Sequence, residues 1–202
     1  IPCFTISIIP SKFIKYLQDI TTSKIKIKIK RLNPNVKLPK IIKKGEFIDL
    51  YCSKTTTFKA PQSGTLKKKV VEGNTERLRN VTFDLQLIPL GVAIKIPKNY
   101  EAIVIPRSST CKSMGILQAN SVGLIDHSYS GNKDEWQFPA LSIRNTTITE
   151  GERICQFRVQ LSQKATFLQK LKWLFSSGVE IEEVEELDEV SRGGFGSTNK
   201  EF

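Results

Sequence analysis

The chain has little of what metal and redox chemistry needs. Its four cysteines, Cys3, Cys52, Cys111 and Cys155, stand far apart with no CxxC pair. That spacing argues against a zinc site and a disulfide framework, and it fits a reducing, cytoplasmic compartment. The single histidine, His127, would point away from its neighbour Asp126 on an extended strand, so it reads as a surface residue. No apolar run approaches the roughly 18–20 residues that span a membrane, and no membrane partner is expected. Residues 1–20 lack a basic leader and a small-residue cleavage site, so no signal peptide is expected either. Acidic residues are scarce at the start: residues 1–80 hold 5 Asp/Glu against 18 Lys/Arg, and residues 81–202 hold 15 against 13. Aromatics are not interleaved with the early lysines, so the basic half reads as a solvated surface and no nucleic-acid partner is expected.

What is present suits one globular domain: 202 residues, 39% hydrophobic and 25% charged. Residues 1–22 read as an N-terminal extension, a short helix around 11–20 or an arm. Lys24–Lys30 (KIKIKIK) alternates strictly and predicts a strand with its isoleucines inward. A second strand is expected over Gly45–Cys52, placing Asp49 among apolar neighbours, where a carboxylate needs a partner. Residues 53–80 read as an inserted hairpin or loop. Short strands follow at Val81–Ile88, Gly91–Ile96, Glu101–Ile105, Gly115–Leu117, Gly123–Ile125, Phe138–Arg144 and Arg153–Leu161, punctuated by Gly and Pro. Short strands at regular spacing indicate an all-β sandwich or barrel. One amphipathic helix is expected within 164–177, where Leu168, Leu171, Leu174 and Phe175 recur at helical spacing. Residues 180–189, with seven acids, predict an edge strand or linker. Thus 23–190 form the β domain, and 191–202 a flexible glycine-rich arm.

Three stretches carry the chemistry. Pro106-Arg107-Ser108-Ser109 follows an apolar strand and offers a guanidinium fork and hydroxyls to phosphate oxygens. Gly123–Gly131 (GLIDHSYSG) sets Asp126 three residues before Tyr129, and such a carboxylate can hold a water for in-line attack on phosphorus. Arg192–Thr198 (RGGFGST) lacks a lysine before its Ser-Thr, so it is no Walker loop but an anion-binding tail. Together these groups suit hydrolysis of a polyphosphate ester.

In order, the segments GEFIDL, PRSSTCKSMGI, NSVGLIDHSYSG, GERICQF and RGGFGST resemble the five motifs of the trimeric dUTPase family, over residues 24–199. The resemblance implies a jelly-roll-like β-barrel assembled as a homotrimer with shared sites. It implies Mg2+-dependent hydrolysis of dUTP to dUMP and pyrophosphate, which keeps uracil out of DNA and supplies dUMP for dTMP synthesis. By that resemblance Asp126 orients the water that attacks the α-phosphate, and Tyr129 packs on the deoxyribose. Asn120 and the 120–126 turn, with Gly123 and Ile125, read uracil. Arg107, Ser108, Ser109 and Gln156 hold phosphates, and Asp49 supports the site. Arg192, Gly196, Ser197 and Thr198 close over the γ-phosphate, with Phe195 over the base. Mg2+ is implied to bind through the triphosphate and waters, with no direct protein ligand.

Ser128 replaces the family's usual second acid, and Arg192 stands only three residues before Phe195. Such short tails, with a Trp136–Pro139-like segment, occur in a Gram-positive and phage-like branch, where Trp136 or Phe138 can share the lid. Two rival readings remain: a dCTP deaminase of the same fold, which would work through a glutamate such as Glu135, and a nucleotide-gated regulator with a protein partner.

Overall fold

The computed structural model describes residues 24–41, 45–71, 74–176 and 178–194, with only the backbone path given for 65–71 and 74–79. The expected extension at 1–22, and Phe195, Gly196, Ser197 and Thr198, lie outside the described residues.

The strictly alternating KIKIKIK segment forms β1 (Ile25–Arg31), with Ile25, Ile27 and Ile29 buried. It lies in a five-stranded sheet with β13 (Val179–Glu183), β6 (Leu85–Lys95), β10 (Glu135–Ser142) and β8 (Ile116–Gln118), in the order β13-β1-β6-β10-β8. The β1–β13 pair is parallel and the others antiparallel. A four-stranded antiparallel sheet orders β2 (Ile48–Tyr51), β12 (Arg153–Leu161), β7 (Tyr100–Pro106) and β9 (Gly123–Asp126) as β2-β12-β7-β9. Trp136 of β10 meets Phe157 of β12 edge to face, centroids 5.1 Å apart, so both sheets close on one core. This is the all-β architecture that the punctuated short strands indicate, in the jelly-roll-like form that the family resemblance implies.

Several boundaries differ from the expectations. Val81–Ile88 and Gly91–Ile96 are not two strands: β6 runs unbroken past Pro89, and Val81 belongs to a preceding strand. Opposite Glu135–Gln137 the register slips, and Gly91 takes φ +66. This bulge carries the strand past a residue that has no N–H to give. The stretch 53–80 is not all insertion either. Its first part forms β3 (Thr56–Phe58), paired with β11 (Thr146–Ile148), and Phe58 is a core residue. A two-stranded hairpin follows, β4 (Gln62–Val71) with β5 (Asn74–Thr82).

The helix α1 spans Phe167–Phe175 and starts with a capping box between Thr166 and Gln169. Its apolar positions are not buried: Phe167, Leu168 and Leu174 remain exposed, while Trp173 packs on Tyr100 at 5.9 Å. No helix among the described residues is long and apolar enough to cross a membrane.

Candidate active site

The turn from β8 into β9 forms one wall of a cleft of about 300 Å³. Val122 N–H bonds to Asn120 O at 2.6 Å across Ser121, whose φ is +60. This is a tight turn of the rare γ type, a conformation that costs about 1–3 kcal/mol and concentrates at ligand sites. Asn120, Gly123, Ile125, Asp126, Tyr129, Trp136 and Arg192 all line this cleft. Gly123 lies close to β7, where a Cβ would sit 3.2 Å from Val104.

Asp126 ends β9 with its side chain about half exposed. Burial alone would push its pKa up, but hydrogen bonds outweigh it. The Ser128 hydroxyl and backbone N–H donate to Oδ1, and Arg192 stands 3.1 Å from Oδ2, so the carboxyl is held below its ordinary range. Tyr129 forms the adjoining wall and donates its hydroxyl to Glu135 O at 2.8 Å. Burial, then the charges of Asp134 and Glu135, push this phenol up to about 12.

Asp134 is a functional residue that the sequence does not reveal. It is buried, its Oδ2 accepts from Gly131 N at 2.8 Å and Arg192 N at 3.0 Å, and its Oδ1 accepts from Gly193 N at 3.0 Å. One carboxylate thus ties the start of the arm to the turn after Tyr129. Gly131 allows this approach, since a Cβ there would strike the Ser191 backbone, and Gly194 passes so near Tyr129 that a Cβ would lie 2.9 Å from its hydroxyl. The pairing spans nearly 60 residues, and no local spacing signals it.

The second group of candidates sits elsewhere. Asp49 on β2 is 3% exposed and lies between two guanidinium groups, Arg107 at 3.1 Å and Arg153 at 3.1 Å. This supplies the partner its apolar surroundings demand. Thr110, in a π-helical turn, accepts from Arg107 N and donates to Ile154 O at 2.7 Å, fixing where Arg107 leaves the strand. Gln156 is paired with Asp49 across β12 and β2. Sequence reasoning passed over Arg153, although GERICQF displays it. None of Arg107, Ser108, Ser109 or Gln156 lines the cleft.

Register explains the separation. Asp126 lies opposite Glu101 at one end of β7, and Arg107 follows Pro106 at the other. Six residues of strand put them roughly 20 Å apart. Trp136 is wholly buried and floors the cleft, so it is no lid, and Phe138 is inside the core, where it cannot act as one.

The cleft thus sets an exposed carboxylate beside an aromatic wall, with the start of a glycine-rich arm tied against both. A dUTPase family model matches residues 77–199, and the chain belongs to the dUTPase family. An SPbeta prophage-derived deoxyuridine 5'-triphosphate nucleotidohydrolase of Bacillus subtilis (strain 168) is 37% identical over 174 residues, 86% of this chain and 98% of the relative. The deoxyuridine 5'-triphosphate nucleotidohydrolase of Finegoldia magna is 40% identical over 116 residues, 55% of this chain and 69% of that one. Among solved structures, the Streptococcus mutans dUTPase superposes with a TM-score of 0.52 at 19% identity, over 69% of this chain and 98% of its own. A dUTPase from phage phi11 of S. aureus, described with a structural Mg(II) ion, gives 0.52 at 14% identity, over 70% and 94%.

Proposed function

We propose that this protein hydrolyses dUTP to dUMP and pyrophosphate through a water held by Asp126. One observation carries the mechanism: in a chain of the dUTPase family, an accessible carboxylate with a lowered pKa stands beside the Tyr129 ring in a cleft lined by Asn120. The water oxygen forms its bond to the α-phosphorus as the bond to the bridging oxygen of pyrophosphate breaks. Asp126 accepts the water proton. The ring of Tyr129 lies where a 2′-hydroxyl would stand, and the 120–126 turn meets the base. Gly194 comes close to the Tyr129 hydroxyl, and by the family resemblance Arg192, Ser197 and Thr198 serve the γ-phosphate and Phe195 the base.

Arg107, Ser108, Ser109 and Gln156 bind phosphate oxygens in this reading, with Arg107 held by Asp49. A triphosphate is far shorter than the roughly 20 Å of strand between Arg107 and Asp126. The two half-sites of one chain therefore work with those of other copies, which supports a homotrimer with shared sites. An apolar row supports the same assembly: Leu85, Leu141 and Leu117 lie opposite one another across β6, β10 and β8, and Leu85 and Leu117 are exposed.

Mg2+ fits this donor set as a passenger of the substrate. Guanidinium, hydroxyl and amide groups suit phosphate oxygens, and Mg2+ prefers triphosphate oxygens and its own waters. Bound there, it would neutralise charge on the phosphates. Free thiols at Cys52, Cys111 and Cys155 support a reducing, cytoplasmic setting. The deaminase reading needs a working glutamate, whereas Glu135 Oε1 accepts Gly91 N at 2.9 Å and caps the β6 bulge.

Pyrophosphate release with Mg2+ from dUTP, dTTP, dCTP and UTP tests the reading in wild type and Asp126→Asn. Release from dUTP alone, reduced about 10²–10⁴-fold in the variant, is expected for a general base. Release that persists in the variant removes Asp126 from its role, and ammonia from dCTP would establish the deaminase instead.

A further inference from the structure

On β8, successive side chains face opposite ways: Leu117 faces outward and Gln118 turns into the cleft. Gln118 Nε2 is 3.2 Å from Val104 O and 2.9 Å from Asn120 Oδ1. A backbone carbonyl can only accept, so the nitrogen of the Gln118 amide must face Val104. Its second hydrogen then goes to Asn120, whose oxygen must be the atom turned toward Gln118. The orientation of both amides is therefore set by one main-chain carbonyl. The relay leaves Asn120 Nδ2 as the donor end on the cleft wall. Gln118 Oε1 is buried, with no hydrogen-bond partner among the described residues.

We propose that Gln118 is a specificity-determining positioning residue. Through Val104 it fixes Asn120 as a donor, so the cleft selects a pyrimidine edge with a 4-carbonyl over one with a 4-amino group. The inference rests on the dUTP reading above. Uracil offers an acceptor at position 4, which pairs with Asn120 Nδ2. Cytosine offers a donor there, and with the sugar held against Tyr129 it cannot turn to correct the mismatch. Two donors then face each other. Thymine shares the uracil edge, so its exclusion rests on its methyl group and is independent of Gln118.

The test is kcat/KM for dUTP, dCTP and dTTP in wild type, Gln118→Leu and Gln118→Glu, with Tm recorded for each. Gln118→Leu releases Asn120 and is expected to lower kcat/KM for dUTP about 10–100-fold, to bring the dUTP:dCTP ratio toward parity, and to leave dUTP:dTTP unchanged. The carboxylate introduced by Gln118→Glu presents an acceptor to Asn120, which must turn its nitrogen inward and its oxygen to the base. Relative turnover of dCTP is expected to rise further than in the leucine variant. A purely structural role would lower all three substrates together and leave the ratios as they are. Unchanged ratios in both variants, with dUTP-selective wild type, overturn this inference and leave the functional reading standing. A wild type inactive on dUTP overturns both.

Discussion

Arg192 Nη1 stands 3.1 Å from Asp126 Oδ2 and 2.5 Å from the Ser128 hydroxyl, which itself donates to Asp126 Oδ1. Arg192, near the start of the glycine-rich arm, is thereby wired to the carboxylate assigned as base, 66 residues earlier in the chain. The contact favours the ionised form of that carboxylate.

This wiring sets a pH dependence. Asp126 is held below the ordinary aspartate value of about 3.9 because donors from Ser128 and Arg192 outweigh its burial. A lowered pKa keeps the base ionised until pH falls through that lowered value. The acid limb of kcat/KM should therefore lie below the usual carboxylate region. Arg192→Ala, and separately Ser128→Ala, should move it to higher pH. A limb that stays in place in both variants would detach the arm from the base.

Asp49 should matter for both stability and binding. Asp49→Ala leaves Arg107 and Arg153 without their shared anion, but both guanidiniums keep some solvent. A loss of about 1–3 kcal/mol is expected, less than for a fully buried pair, with KM for dUTP rising as Arg107 loses its fixed position. Urea denaturation and initial rates measure the two effects, and an unchanged KM would confine Asp49 to the scaffold.

Tyr129 should act as a wall and not as a titrating group. With its phenol pushed up to about 12, no alkaline limb between pH 8 and roughly 11 should belong to it. Tyr129→Phe should retain the profile and the preference for deoxyribose. Tyr129→Ala should raise the UTP:dUTP ratio of kcat/KM about 10–100-fold by removing the ring. Equal ratios in Tyr129→Ala and wild type would place the sugar elsewhere.

Asp134 should hold the arm. Asp134→Ala removes the acceptor shared by Gly131, Arg192 and Gly193, so the arm should open more often. Trypsin should cut after Arg192 about tenfold faster or more, while Asp134→Asn, which can still accept, should show a smaller change. Comparable digestion of all three proteins would mean the arm is retained by other contacts.

The strands whose periodicity is local were legible in the sequence. KIKIKIK could only be β1, because side chains alternate across a pleat, and Arg153–Leu161 is bounded as expected. Two errors came from reading Pro and Gly as breaks. Pro89 and Gly91 lie within β6, because a bulge opposite Glu135–Gln137 accommodates them, and a bulge depends on the neighbouring strand. The apolar periodicity of α1 correctly marked a helix, but not that Phe167, Leu168 and Leu174 would remain exposed, since the partner of a helix face is not encoded in its spacing.

By itself, the sequence determined which residues sit on one turn. Asn120, Gly123, Asp126 and Tyr129 lie within ten consecutive residues, and chain connectivity keeps them around one cleft. Tertiary structure alone decided which distant groups meet: Arg107 and Arg153 on Asp49, Arg192 on Asp126, and Asp134 under the arm. The Asp49 contacts follow from the pairing of β12 with β2 on one side and with β7 on the other. That pairing is settled by the burial of a shared core and by long-range register, neither of which is written in any short stretch of the chain.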